Sequence, residues 1–225
     1  MPRIALNLNA INSDIRLAES NAGREANSVQ LLAVSKTKPS ADIIEAYQAG
    51  QRHFGENYLQ EALTKQKELS HYQIIWHFIG PIQSNKTKQI AENFSWVHSV
   101  DRLKIAQRLS DQRPESLAPL NICLQVNISQ EQSKAGITLS ELPNMIEQIE
   151  SLSRIKLRGV MAIPEPAQDY EQQRKPYRQL QQAIKALNKP ELDTFSFGMT
   201  GDLKAAIKEG ATIVRIGAAL FGKRG

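Results

Sequence analysis

"LLAVSKTKPSADIIEAYQAG", residues 31 to 50, runs apolar from Leu31 to Val34, reaches Ser35 and Lys36, and after Pro39 takes up a helical spacing in "SADIIEAYQAG". A short, continuously apolar run reads as a strand covered on both faces, and the segment after Pro39 reads as the helix that covers it. The same unit recurs. "RHFGEN" precedes "YLQEALTKQKEL", "IIWHFIG" precedes "SNKTKQIAENF", and "WVHSV" precedes "DRLKIAQRLSDQ". "NICLQVNI" then leads to "LSELPNMIEQIESL", "LRGVMAI" to "YEQQRKPYRQLQQAIKAL", and "TFSFGM" to "DLKAAIKEG", before a last apolar run, "TIVRIG". Strands alternating with helices indicate parallel βαβ units, and eight of them suggest a closed (β/α)8 barrel. A doubly wound open sheet has the same periodicity and stays open as an alternative. Ahead of the first unit, Ile4, Leu8, Ile11, Ile15 and Ala18 recur at three- and four-residue steps, the stripe of an amphipathic helix. The expectation is an α/β fold: one TIM-type barrel over residues 1–225, with an extra N-terminal helix.

Composition narrows the function. Of 225 residues, 41% are hydrophobic and 23% charged, an ordinary globular balance. The net charge of +5 comes from lysines and arginines scattered through the helical segments instead of gathered in a stripe, so nucleic acid is not the expected partner. A mild positive field favours a small anionic ligand. Cys123 is the one cysteine, which rules out an intramolecular disulfide and points to a reducing compartment, the cytoplasm. Polar residues at 3, 7, 9 and 14 interrupt the N-terminus, so neither a signal peptide nor a membrane span is expected.

Barrel active sites sit where strands end and βα loops begin, which puts Lys36, Asn57, Met161, Thr200 and Arg215 to Ala218 at one mouth. Lys36 can be a solvated lysine at a strand end. It can also be a partly desolvated amine, neutral near pH 7, that condenses with a carbonyl group as a Schiff base. "SFGMTGDLKAAIKEG" and "RIGAALFG" suit a phosphate held at the ends of strands seven and eight: Thr200 is expected to cap the helix beginning near Asp202, and Gly201 and Gly217 permit close approach of backbone. Arg215, charged within an apolar strand, is expected in a salt bridge, directed at the rim, or facing a ligand. Asn57 either hydrogen-bonds a ligand or caps the next helix, and Glu56 anchors the loop. His53, His71, His77 and His98 lack metal-ligand spacing, and His77 reads as a hydrogen-bonded core residue. Ser35 and Lys36 cannot pair as a nucleophile and its base, because adjacent strand residues face opposite ways.

A phosphorylated carbonyl compound met by a lysine, a phosphate cradle and an arginine describes pyridoxal 5′-phosphate (PLP). "LLAVSKTKP", "HFGENYLQE", "WHFIGPIQSNK", "VHSVDRLKIA", "QVNISQEQSKAGI", "LRGVMAIP", "SFGMTGD" and "VRIGAALFG" resemble, in this order, signatures of the PLP homeostasis (YggS/PROSC) family, which is similar in fold to the alanine racemase N-terminal domain. The resemblance implies Lys36 as the Schiff-base lysine and Arg215 facing the pyridine nitrogen. It assigns the phosphate to Thr200 with the Gly217 and Ala218 backbone, and the pocket lining to Asn57, Ile79 and Met161. Thr200 stands where the family usually has serine, and Ala218 where it often has a hydroxyl residue, so contact at Ala218 is expected through main chain only.

The implied function is non-catalytic binding and buffering or delivery of PLP, affecting vitamin B6 and amino-acid pools. The implied partners are PLP, other B6 vitamers and PLP-dependent apo-enzymes, with the chain itself a monomer. The alternative is an amino-acid racemase of the alanine racemase type. Against it, only Lys223, Arg224 and Gly225 follow "RIGAALFG", leaving no expected C-terminal β-domain to supply a catalytic tyrosine; Tyr58 is the nearest contender.

Overall fold

The computed structural model describes residues 3–129 and 135–222. Eight parallel strands close in chain order: β1 (Gln30–Val34), β2 (His53–Glu56), β3 (Ile75–Phe78), β4 (Trp96–Val100), β5 (Leu120–Val126), β6 (Ile155–Ala162), β7 (Thr194–Ser196) and β8 (Ile213–Ile216). Closure is made by β8 lying along β1, with Leu31 opposite Val214 and Ala33 opposite Ile216. An open sheet would leave both of these strands as edges, so this pairing selects the barrel over the doubly wound alternative. Both faces of each strand are then covered, which is why the runs are apolar throughout: Leu32, Ala33, Ile122, Leu124 and Val214 are fully buried.

The outer layer follows the strands as α2 (Ser40–Gln48), α3 (Leu59–Glu68), α4 (Thr87–Asn93), α5 (Leu103–Asp111), α6 (Leu142–Glu150), α7 (Tyr170–Ala186), α8 (Leu203–Lys208) and α9 (Ala218–Phe221). A 3-10 turn, Ser84–Lys86, precedes α4. Each helix turns an apolar stripe inward, as Ile105, Ala106 and Leu109 do on α5. Cys123 is buried on β5, and burial pushes its thiol up to about 12, so it packs as a small apolar residue.

The extra helix, α1 (Arg3–Asn21), buries the expected stripe of Ile4, Leu8, Ile11, Ile15 and Ala18 against α2, α8 and α9. Glu45 on α2 accepts a hydrogen bond from the Ile4 N–H at 2.6 Å, and Asn7 Nδ2 donates to the Leu220 carbonyl at 2.9 Å. Through these contacts α1 ties down the short helix that opens at Gly217 and Ala218. The centre of "QVNISQEQSKAGI" and the terminal Lys223 to Gly225 lie outside the described residues. Among the described residues no helix is long and apolar enough to cross a membrane.

Candidate functional site

At the C-terminal ends of the strands lies a cavity of about 240 Å³ lined by Val34, Lys36, Asn57, Ile79, Met161, Ile163, Met199, Thr200, Arg215, Gly217 and Ala218. The structure thus brings together all eight residues singled out from sequence, from Lys36 after β1 to Ala218 after β8. Parallel closure explains the convergence, since every strand ends at the same mouth. The described lining carries two cationic groups, Lys36 and Arg215, and no carboxylate, so its charge suits an anion.

Lys36 leaves β1 half-buried and lines the cavity. Its neighbour Ser35 is wholly buried and turns the other way, its Oγ donating to Glu56 Oε1 at 2.6 Å, which excludes a Ser–Lys pair and makes Glu56 the anchor expected of it. Asn57 follows β2 but does not cap α3: the capping position is Tyr58, whose side chain makes no cap hydrogen bond. Asn57 Oδ1 is buried and has no hydrogen-bond partner among the described residues. A buried acceptor left unmet costs about 1–3 kcal/mol, so this oxygen calls for a donor that the described residues do not supply. The Asn57 main chain is held from the β3 side by Gly80, where an added Cβ would lie 2.1 Å from the Asn57 carbonyl oxygen.

Arg215 is buried on β8 and meets none of the carboxylates among the described residues. Its Nη1 donates to the Ser196 carbonyl and, at 2.9 Å, to Ser196 Oγ, while Nη2 donates to the Ala162 carbonyl at 3.0 Å. Burial pulls the guanidinium below its ordinary pKa, and the field of Tyr177 and Asp202 opposes that shift. The salt-bridge explanation is therefore set aside: carbonyls hold the guanidinium, and it borders the cavity.

The capping role expected for Thr200 is corrected. Asp202 occupies the position before α8, but its carboxylate is engaged elsewhere: Oδ1 accepts from the Met199 N–H and Oδ2 from the Tyr177 hydroxyl, each at 2.6 Å. Residues 199 to 202 are thereby folded into a turn fixed by a tyrosine on α7, and Thr200 stands exposed at the cavity wall with its hydroxyl turned to no α8 N–H. Gly217 caps α9, whose first N–H groups have no acceptor within the helix. An added Cβ at Gly217 would lie 3.2 Å from the Val34 carbonyl oxygen, so β1 packs closely against this turn.

Behind Arg215 runs a chain that sequence reasoning found only in part. His77 is the hydrogen-bonded core residue expected, with His53 Nδ1 at 3.0 Å from its Nε2 and its own Nδ1 2.9 Å from His98 Nε2. His98 Nδ1 then lies 2.8 Å from Ser196 Oγ. The visible signal was a histidine in each of three successive strands, but nothing local linked them to Ser196. Among the described residues no group of His, Cys, Asp or Glu is arranged to hold a metal ion. Neither Tyr58, which borders a neighbouring cavity, nor Tyr177 is among the described lining residues.

The chain matches the family model for the alanine racemase N-terminal domain over residues 6–225. It is 58% identical to the pyridoxal phosphate homeostasis protein of Pseudomonas aeruginosa, covering 100% of this chain and 97% of that one, and 49% identical to that of Escherichia coli K12, covering 100% and 98%. Among solved structures, PipY of Synechococcus elongatus with PLP bound superimposes with a TM-score of 0.85 at 37% identity, over 97% of this chain and 100% of that one. An alanine racemase of Clostridium difficile shares the fold at 12% identity, with a TM-score of 0.73, and 59% of its length is covered. Barrel, cavity and full-length matches agree: the chain belongs to the pyridoxal phosphate homeostasis family, built on the alanine racemase N-terminal fold.

Proposed function

We propose that this protein binds PLP reversibly in the 240 Å³ cavity, through Lys36, and buffers or delivers it without turning over amino acids. The observation that carries the reading is the convergence on one cavity of an amine, a carbonyl-held guanidinium and a hydroxyl beside two backbone turns. These groups fit the ligand. Arg215 presents a permanent cation held by carbonyls, and the turns at residues 200–201 and 217–218 offer N–H groups to a phosphate. When bound, PLP supplies an aldehyde that condenses with an amine, one water leaving, and a ring that withdraws electrons from the bond formed.

Lys36 is assigned the covalent contact. Arg215 is assigned to the ring nitrogen, where a fixed cation disfavours protonation and so weakens the ring as an electron sink. Thr200 Oγ1 and the Gly217 and Ala218 N–H groups are assigned the phosphate, and Asn57, Ile79 and Met161 the ring. The racemase reading needs a second proton-transfer group facing Lys36, and among the described lining residues there is no tyrosine, histidine or carboxylate to serve. We further place the protein in the cytoplasm as a monomer, with B6 vitamers and PLP-dependent apo-enzymes as its exchange partners.

The test is borohydride reduction of the PLP-loaded protein followed by peptide mapping. The label is expected on Lys36 and should be absent in Lys36→Ala. A label retained in that variant on another lysine overturns the assignment.

A further inference from the structure

Lys65 lies on α3, outside the cavity, with its side chain only 6% exposed. Its three ammonium hydrogens have three acceptors: the Ser35 carbonyl at 2.8 Å, Glu56 Oε1 at 2.8 Å and Glu61 Oε1 at 2.5 Å. Both carboxylates in turn reach the chain on either side of Lys36. Glu56 Oε1 accepts from Ser35 Oγ at 2.6 Å, and Glu61 Oε1 accepts from the Thr37 N–H at 2.6 Å. Thr37 has φ 63°, a left-handed conformation that a β-branched residue rarely adopts unless its surroundings impose it.

Desolvating an ammonium and a carboxylate is expensive, and apolar packing would hold a helix to a barrel at least as well. What the cluster adds is direction: hydrogen bonds that fix residue 35 by its carbonyl and hydroxyl and residue 37 by its N–H, with Lys36 between them. We infer that Lys65 is a positioning residue, gripping the loop through Glu56 and Glu61 so that the Lys36 amine is presented at the angle covalent capture of an aldehyde requires. The inference rests on the cofactor reading above.

The experiment compares two probes on the full chain. PLP can bond to Lys36, whereas pyridoxine 5′-phosphate carries an alcohol in place of the aldehyde and binds only through ring and phosphate. Lys65→Met should lower PLP affinity and the borohydride-trapped fraction about tenfold, the scale of a lost hydrogen bond to a charged group, while pyridoxine 5′-phosphate affinity stays within about twofold. Glu61→Ala removes the Thr37 anchor and one of the three Lys65 acceptors from a partly exposed position, leaves the Lys65–Glu56 contact, and should move the same readouts about threefold in the same direction. Should Lys65→Met fail to unfold cooperatively, Glu61→Ala decides. Equal losses for both probes mean a merely structural role and overturn the inference, as does PLP capture that neither variant alters. A wild-type protein that captures no PLP on Lys36 overturns the cofactor reading itself, and the inference with it.

Discussion

Acidification should destabilise this fold through its histidine chain. Arg215 can only donate, so Ser196 Oγ accepts from it and passes its own hydrogen to His98 Nδ1. His98 then donates from Nε2 to His77 Nδ1, and His77 from Nε2 to His53 Nδ1, which makes each imidazole neutral and protonated on Nε2. Burial, and next the charge of Arg215, lower His98 from 6.5 to about 3. Burial, with the other two histidines, holds His77 well below its ordinary value. Both folded values lie below the unfolded ones, so the stability these groups contribute is complete above about pH 6.5 and is lost as pH falls toward the folded values. At about pH 5 the unfolded His98 sits 1.5 units below its pKa of 6.5 while the folded group stays neutral, a cost of about 2 kcal/mol at 1.36 kcal/mol per unit. His77 adds in the same sense. Glu56, whose carboxyl burial raises, works against them and stabilises as pH falls. Urea unfolding of the ligand-free protein at about pH 7.5 and pH 5, at fixed ionic strength, should show a loss of about 2 kcal/mol, and His98→Gln should shrink that difference by a similar amount. A loss below about 1 kcal/mol, or an unchanged difference in the variant, refutes the neutral chain.

Thr200→Ala should weaken PLP binding by about 1–2 kcal/mol, one hydrogen bond to a charged group, and leave the affinity for pyridoxal nearly unchanged in equilibrium titrations. Gly80→Ala should destabilise the fold by about 1–3 kcal/mol in thermal unfolding and weaken PLP binding with it, because the new methyl meets the Asn57 carbonyl at 2.1 Å and one of the two must move. Alanine in deuterated water with the PLP-loaded protein should exchange its α-proton no faster than with free PLP; multiple turnovers abolished by Lys36→Ala would restore the racemase reading.

The alternation of apolar runs with helical stripes was enough to count eight βα units and to place the N-terminal stripe of Ile4 to Ala18, because periodicity is a local property that any covered strand or helix must show. Once the units are parallel, strand ends converge, so Lys36, Asn57, Met161, Thr200, Arg215, Gly217 and Ala218 could be gathered from the pattern alone, while Ile79 comes from the family resemblance. Closure could not be read in this way, since whether β1 meets β8 is decided by residues at opposite ends of the chain, Leu31 and Val214 among them. The misassigned cap has the same origin: Thr200 and Asp202 are equally plausible locally, and it is Tyr177, brought in from α7, that draws the Asp202 carboxylate into the turn. Likewise, nothing in the local sequence marks Lys65 or Ser196 as part of a network. Hydrogen bonds between distant segments depend on where side chains point after closure, and only the tertiary structure decides that.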